Sequence, residues 1–204
     1  MARTREDQAV STDLLPQFIR DNYEVHERRH ACAILRYDFP QEWNDICHVL
    51  SEFRLRRSWI TNPGGSKSPV SRSIDSALYG RQWEEKTFDT KIVVDQHEDR
   101  SPTHGVDCFK NQIALEIEWN NKDPFFDRDL NNFRLLFDLR VVSVGAIITR
   151  CDDLQDIFNN LGRGSSFGAS TTHMSKLLPK IDGGGGGGCP LLVFGISSRL
   201  YIED

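Results

Sequence analysis

The feature that most limits how this chain can fold is the run VVSVGAIITR at residues 141–150, apolar at almost every position and rich in β-branched side chains. A strand with one wet face alternates polar and apolar residues, so a run this uniform needs cover on both faces. It therefore belongs at the centre of a sheet with helices above and below. The segments around it supply those layers. PQEWNDICHVLSEF places Trp43, Ile46, Cys47, Leu50 and Phe53 on one helical face, with Pro40 at a suitable first helical position. SRSIDSALYGRQWEEK reads as a second helix, DRDLNNFRLLFDLR as a third, and Asp152 to about Leu161 as a fourth. A short helix is expected over Thr12–Asp21, and another near His173–Leu178 that Pro179 would end. TKIVVDQ, VDCFKNQIALEIEW and CPLLVFGI read as strands, HEDRSPTHG as a polar loop or hairpin end, and NPGGSKSP as a loop. The expected fold is α/β, a mixed central sheet flanked by helices, with residues 1–204 as one domain. The six glycines at 183–188 read as a mobile connector.

Several classes are excluded. No apolar run approaches the roughly 20 residues of a membrane helix. MARTREDQAV has no apolar stretch behind its arginines, so a secretory leader is not expected and the cytoplasm is the expected compartment. The five cysteines are scattered and include no C-x-x-C pair, which argues against a disulfide framework and a thiolate zinc site. They are expected to be reduced and buried. The six histidines show no ligand spacing.

Charge is uneven along the chain. The net charge is −5, and residues 92–138 alone carry 5 basic and 10 acidic side chains. A solvated acidic face explains this, and so does a site for a divalent cation. Within that stretch a turn near Lys110 and Asn111 would join two strands, and in the second Ile113, Leu115, Ile117 and Trp119 point one way while Ala114, Glu116 and Glu118 point the other. A hairpin then brings Asp107 beside both glutamates. Three converging carboxylates repel unless a hard cation joins them, and oxygen donors select Mg²⁺ over zinc or copper. The chemistry implied is metal-assisted attack by water on a phosphoryl centre.

VDCFKNQIALEIEW with the following NNKDPFF resembles the catalytic hairpin of the PD-(D/E)XK nucleases, and among them type II restriction endonucleases of the BglII and BstYI family. The resemblance extends more loosely over residues 40–196 and departs at two places. Val106 stands where the superfamily has Pro, and Glu118 stands where it usually has Lys and this family has Gln, although the related BamHI enzyme also has Glu there.

The resemblance implies a restriction-endonuclease-like core with its catalytic hairpin at 106–119 and recognition loops at 120–128 and 162–188. By carry-over Asp107, Glu116 and the Ile117 carbonyl would bind Mg²⁺, Glu118 would bind or orient water, and Glu85 or Glu84 would complete the site from the preceding helix. Asn120, Asn121, Lys122, Arg150, Ser170, Thr171, Thr172, His173 and Lys176 would contact DNA. A surface ion pair is the alternative for Arg150, and helix capping the alternative for Ser170 or Thr171. The implied activity is cleavage of double-stranded DNA by a homodimer at a short palindrome, GATC-centred by analogy, with a cognate DNA methyltransferase in the same system. A structure-specific or repair nuclease on the same core, and a catalytically silent DNA-binding module, are the competing readings.

Overall fold

The computed structural model describes residues 12–62 and 67–204. The decapeptide read for a leader and the middle of NPGGSKSP lie outside the described residues.

From the N-terminus, α1 (Gln17–Asn22) leads into β1 (Tyr23–Arg28), followed by α2 (Ala31–Asp38) and α3 (Pro40–Glu52). A short β2 (Leu55–Arg56) and α4 (Arg57–Thr61) precede α5 (Pro69–Tyr79). Then come β3 (Glu84–Lys86), a hairpin of β4 (Asp89–Val94) and β5 (His97–Pro102), and a second hairpin of β6 (Val106–Lys110) and β7 (Ile113–Glu118). The C-terminal part runs α6 (Pro124–Asp138), β8 (Val144–Arg150), α7 (Leu154–Asn160), α8 (Met174–Asp182), β9 (Leu191–Ile196) and β10 (Tyr201–Ile202).

Six strands form one mixed sheet in the order β1-β9-β8-β7-β6-β3. β7, β8 and β9 are parallel, and antiparallel strands flank them. The apolar run supplies β8, next to centre and buried at every position of the strand. One face of the sheet, with Ile113, Leu115, Ile117, Ala146, Ile148, Leu192 and Phe194, packs on the N-terminal helices. The other, with Ala114, Ile147, Leu191 and Val193, packs on α6 and α8. All five cysteines are free and buried, as expected.

Local chemistry sets the helix starts. Pro40, Pro69 and Pro124 occupy first helical turns, where a missing N–H costs nothing. The Ser68 hydroxyl accepts from the Ser71 N–H at 2.9 Å and caps α5.

Three expectations need correction, and two elements were not foreseen. The second helix stops at Tyr79, and Trp83–Lys86 turns into the edge strand β3, because the Gly80–Arg81 turn and the left-handed Gln82 (φ 69°) end the helical path. α8 continues through Pro179 to Asp182; the carbonyl that Pro179 leaves without a donor belongs to exposed Ser175, where water can reach it. β1 and α2 were not anticipated, since YEVHER carries charged or polar residues at four of its six positions. The hexaglycine is not a loose connector but a series of turns, with Gly183, Gly185 and Gly187 N–H donating to the carbonyls of Pro179, Lys180 and Gly184 at 2.9 Å each. Gly184 and Gly187 are left-handed (φ 88° and 57°), and a Cβ on Gly186 would stand 2.6 Å from Leu191 Cδ1. Conformation and close packing both call for glycine here.

Candidate active site

The β6–β7 hairpin turns on Asn111 and Gln112, both at positive φ (44° and 70°), the two-residue turn whose twist suits paired strands. That turn fixes the register: Cys108 pairs with Leu115, so Asp107 and Glu116 stand opposite on the α6 side of the sheet. Each carboxylate is held by the other strand's backbone. The Asp107 N–H donates to Glu116 Oε2 at 3.2 Å, and the Ile117 N–H donates to Asp107 Oδ2 at 3.0 Å. The Tyr79 hydroxyl donates to the Asp107 carbonyl at 2.9 Å and ties the strand to α5.

Glu118 lies on the same face two residues on, yet its carboxylate turns away from Asp107. It accepts from Asn121 Nδ2 at 2.7 Å and from the Arg128 guanidinium at 3.3 Å. Arg128 also pairs with Asp129 at 2.7 Å and lies over the Phe125 ring at 4.3 Å. The expected convergence therefore divides into two parts: Asp107 with Glu116, and Glu118 with Asn121, Arg128 and Asp129. Among the described residues no three His, Cys, Asp or Glu side chains gather as a metal cage.

Gly145 explains how α6 comes close enough to contribute Asp129. A Cβ there would stand 2.6 Å from Phe133 Cδ2, so the bare backbone lets the helix lie against the sheet. Asp129 is one turn before Phe133, about 6 Å along the helix, which matches the two residues along β7 that separate Ala114, the strand partner of Gly145, from Glu116.

The electrostatics follow from burial. Glu116, Glu118 and Asp129 are each 1% exposed. Burial first, then Asp129 and Asp107, hold Glu116 well above the carboxylate range. Burial and Asp129 push Glu118 up to about 9. Asp129 is also raised by burial, while its bonds with Glu118 and Arg128 oppose the rise, so the two carboxyls hold a proton as a pair. Glu116 Oε1 and Asp129 Oδ2 are buried without a hydrogen-bond partner. Two oxygen ligands, one with a buried open valence, fit a hard cation whose remaining positions come from backbone, water or phosphate.

Glu84 and Glu85 do not complete this group from a helix. Both are exposed on the edge strand β3, and Glu84 pairs with Lys86 at 3.0 Å. The acid on the preceding helix is Asp75 of α5, 2% exposed, ion-paired with Lys67 and 3.5 Å from the Cys108 thiol. It approaches the hairpin from the opposite face, and burial, reinforced by Asp107, raises its pKa. Asp75, Arg128 and Asp129 were missed in the sequence. The available signal for Asp129 was its i, i+4 spacing to core Phe133.

The residues expected to contact DNA fall into three groups. Lys122, Ser170 and Lys176 are at least partly open to solvent, with Lys122 bridged to Thr171 through the backbone. Asn120, Asn121, Thr171 and Thr172 are engaged within the protein: Asn120 Nδ2 donates to the Ser166 carbonyl at 3.0 Å, the Thr172 hydroxyl donates to the Glu118 carbonyl at 3.3 Å, and the Thr171 hydroxyl donates to the Gly168 carbonyl at 2.8 Å. Neither Ser170 nor Thr171 caps α8, whose N-cap is His173. The alternative weighed for Arg150, a surface ion pair, is corrected, because the side chain turns into the protein. It is 1% exposed and donates to the Phe167 carbonyl at 2.9 Å and the Thr171 hydroxyl at 3.0 Å. A strand buried on both faces carries its terminal side chain into the protein, under the 162–173 loop. Trp119, Phe158 and Phe167 pack beneath the same loop, the two Phe rings stacked at 4.1 Å.

A family model described as restriction endonuclease BglII/BglIII matches residues 23–196. No curated protein matches the chain.

Proposed function

Since the chain belongs to the restriction endonuclease BglII/BglIII family and is thereby a type II, site-specific deoxyribonuclease, we propose that it hydrolyses its DNA with Mg²⁺ held by Asp107 and Glu116. The observation that carries this reading is the reciprocal pinning of those two carboxylates across β6 and β7, with Glu116 Oε1 buried and unpartnered. The Ile117 carbonyl is the proposed third ligand. When bound, the cation would neutralise the acids, polarise a phosphoryl oxygen and lower the pKa of water. Glu118 orients the attacking water, and Asn121 and Arg128 hold its carboxyl in place. Lys122, after β7, and Lys176, in the first turn of α8, contact the DNA backbone.

The active form is a homodimer, because a two-fold protein reads a two-fold site, and the target is a short palindrome centred on GATC. A nuclease of this kind in the cytoplasm requires protective methylation of its own site, so a cognate DNA methyltransferase accompanies it. No helix among the described residues is long and apolar enough to cross a membrane.

The test is digestion of a plasmid of known sequence with Mg²⁺ or EDTA, followed by sequencing of the ends. Discrete palindromic cuts that need Mg²⁺ and vanish in Asp107→Ala and Glu116→Ala, with DNA binding retained, are expected. Cleavage in EDTA, or full activity in either variant, would overturn the proposal.

A further inference from the structure

Cleavage of a phosphodiester builds negative charge on its non-bridging oxygens, and a fixed positive donor there lowers the barrier. Arg128, beside the acids, is not free to serve. Its guanidinium bonds Glu118 and Asp129, and moving it would leave two carboxyl groups, each 1% exposed, without their counter-charge. Lys110 lies at the far end of β6, where its ammonium donates to Asp45 and to the Arg81 carbonyl at 2.8 Å each. Another cation, Lys67, feels the charge of Asp107 directly, and it comes from the α5 side of the sheet.

The chain path sets where Lys67 stands. After α5 the edge strand β3 runs with Glu84 opposite Phe109 and Lys86 opposite Val106, so it climbs toward the end of the sheet where β6 begins and β7 finishes. The helix before it descends from that same end, with Lys67 just ahead of its cap, Ser68. The lysine's backbone is fixed, because its carbonyl accepts from the Arg72 guanidinium at 3.1 Å. Its ammonium pairs with Asp75, and the two side chains differ in depth: 41% of Lys67 is exposed against 3% of Asp75. Burial opposes the lysine's charge, but Asp75 and then Asp107 outweigh it and hold its pKa above the ordinary lysine value.

We propose that Lys67 is a catalytic residue, whose ammonium passes the start of β6, exchanges Asp75 for a non-bridging oxygen of the phosphate being cut, and offsets the charge that gathers there. A fixed backbone, a flexible four-carbon stem and an open flank suit that exchange. Asp75 tolerates the departure. Burial and Asp107 raise its pKa, so it takes up a proton readily, and the Cys108 thiol stays 3.5 Å from its Oδ1. Asp75 then holds the lysine in the free protein and stands outside the reacting atoms. The inference rests on the endonuclease reading above and adds a residue from the side of the sheet opposite α6.

The experiment uses the full-length protein and the duplex that the plasmid digest identifies as its site. If wild type makes no sequence-defined cut, the endonuclease reading itself has failed and this inference falls with it. With wild type active, Lys67→Ala is expected to lower the single-turnover rate roughly 100- to 1,000-fold at saturating Mg²⁺ and DNA. In EDTA, where nothing is cut, the plot of log Kd against log salt for the same variant should become shallower by about 0.9 per subunit, the loss of one phosphate contact. Asp75→Asn keeps the lysine and should retain the wild-type slope. A lysine that serves only to pair Asp75 gives another pattern: both variants break the same pair, lose rate alike and leave the slope unmoved. That pattern, or a wild-type rate in Lys67→Ala, overturns the inference. Should Lys67→Ala fail to fold, the double variant Lys67→Met/Asp75→Asn decides, because it leaves no charge unpaired in the core: a loss of the size given above is expected, and a wild-type rate rejects the idea.

Discussion

Replacing Glu118 with Gln should make the protein more stable at alkaline pH. A carboxyl held near 9 in the fold against an ordinary value of 4.5 favours folding below about pH 4.5 and gives that up as pH rises toward 9. At pH 7.5 the folded state must keep a proton that the unfolded chain has already released. The penalty has a ceiling of about 4 kcal/mol, at about 1.36 kcal/mol per pH unit. Gln supplies permanently the hydrogen that the Glu118–Asp129 pair takes from solvent, and its carbonyl can still accept from Asn121. It loses the charge-assisted bond from Arg128, which is worth about 2 kcal/mol. The net gain is about 2 kcal/mol at pH 7.5, or roughly 4–8 °C in melting temperature for a chain of this size. At pH 5.5 the penalty falls to about 1.4 kcal/mol and the gain disappears. Thermal unfolding in EDTA at both pH values, followed by circular dichroism, measures this. If Glu118→Gln melts at or below wild type at pH 7.5, or the gap between the two proteins is independent of pH, the shared-proton account is wrong.

Three further outcomes follow from the packing. Gly145→Ala pushes Phe133 of α6 off the sheet and should cost about 1–3 kcal/mol by overpacking, read from urea midpoints at constant slope, with cleavage falling further as Asp129 is displaced. Arg150→Met removes the donor from the Phe167 carbonyl and Thr171 hydroxyl, so a loss of about 1–3 kcal/mol and early proteolysis at Arg163 are expected; an unchanged digestion pattern would contradict the brace. Asp75→Asn should spare Mg²⁺-dependent cleavage far more than Glu116→Ala does, because Asp75 approaches from the other face; equal loss in single-turnover assays would place it in the catalytic group.

The hairpin was legible because strand alternation is strict. Once Ile113, Leu115 and Ile117 are assigned inward, Glu116 and Glu118 must share the other face, and the structure places them so. The sense in which they act together was not legible, because it depends on a helix that approaches from elsewhere. Asp129 sits beside Leu130 on the buried stripe of α6, where a sequence reading records only the apolar members. Arg150 misled for the reverse reason: a charge at the end of an apolar strand suggests a surface, whereas the depth of that end depends on the loop that later covers it. Glu84 and Glu85 were expected on the helix because the helical pattern was carried past Gly80, and Asp75 was passed over.

The six glycines set the phase of the strand that follows them. β9 is paired on both edges, by β1 and β8, and buried throughout, so Leu192 and Phe194 serve one layer while Leu191 and Val193 serve the other. A seventh glycine, or a fifth alone, would shift the phase of that strand by one and exchange its two sets of side chains. In the least varied stretch of the chain, the number of letters matters as much as their identity.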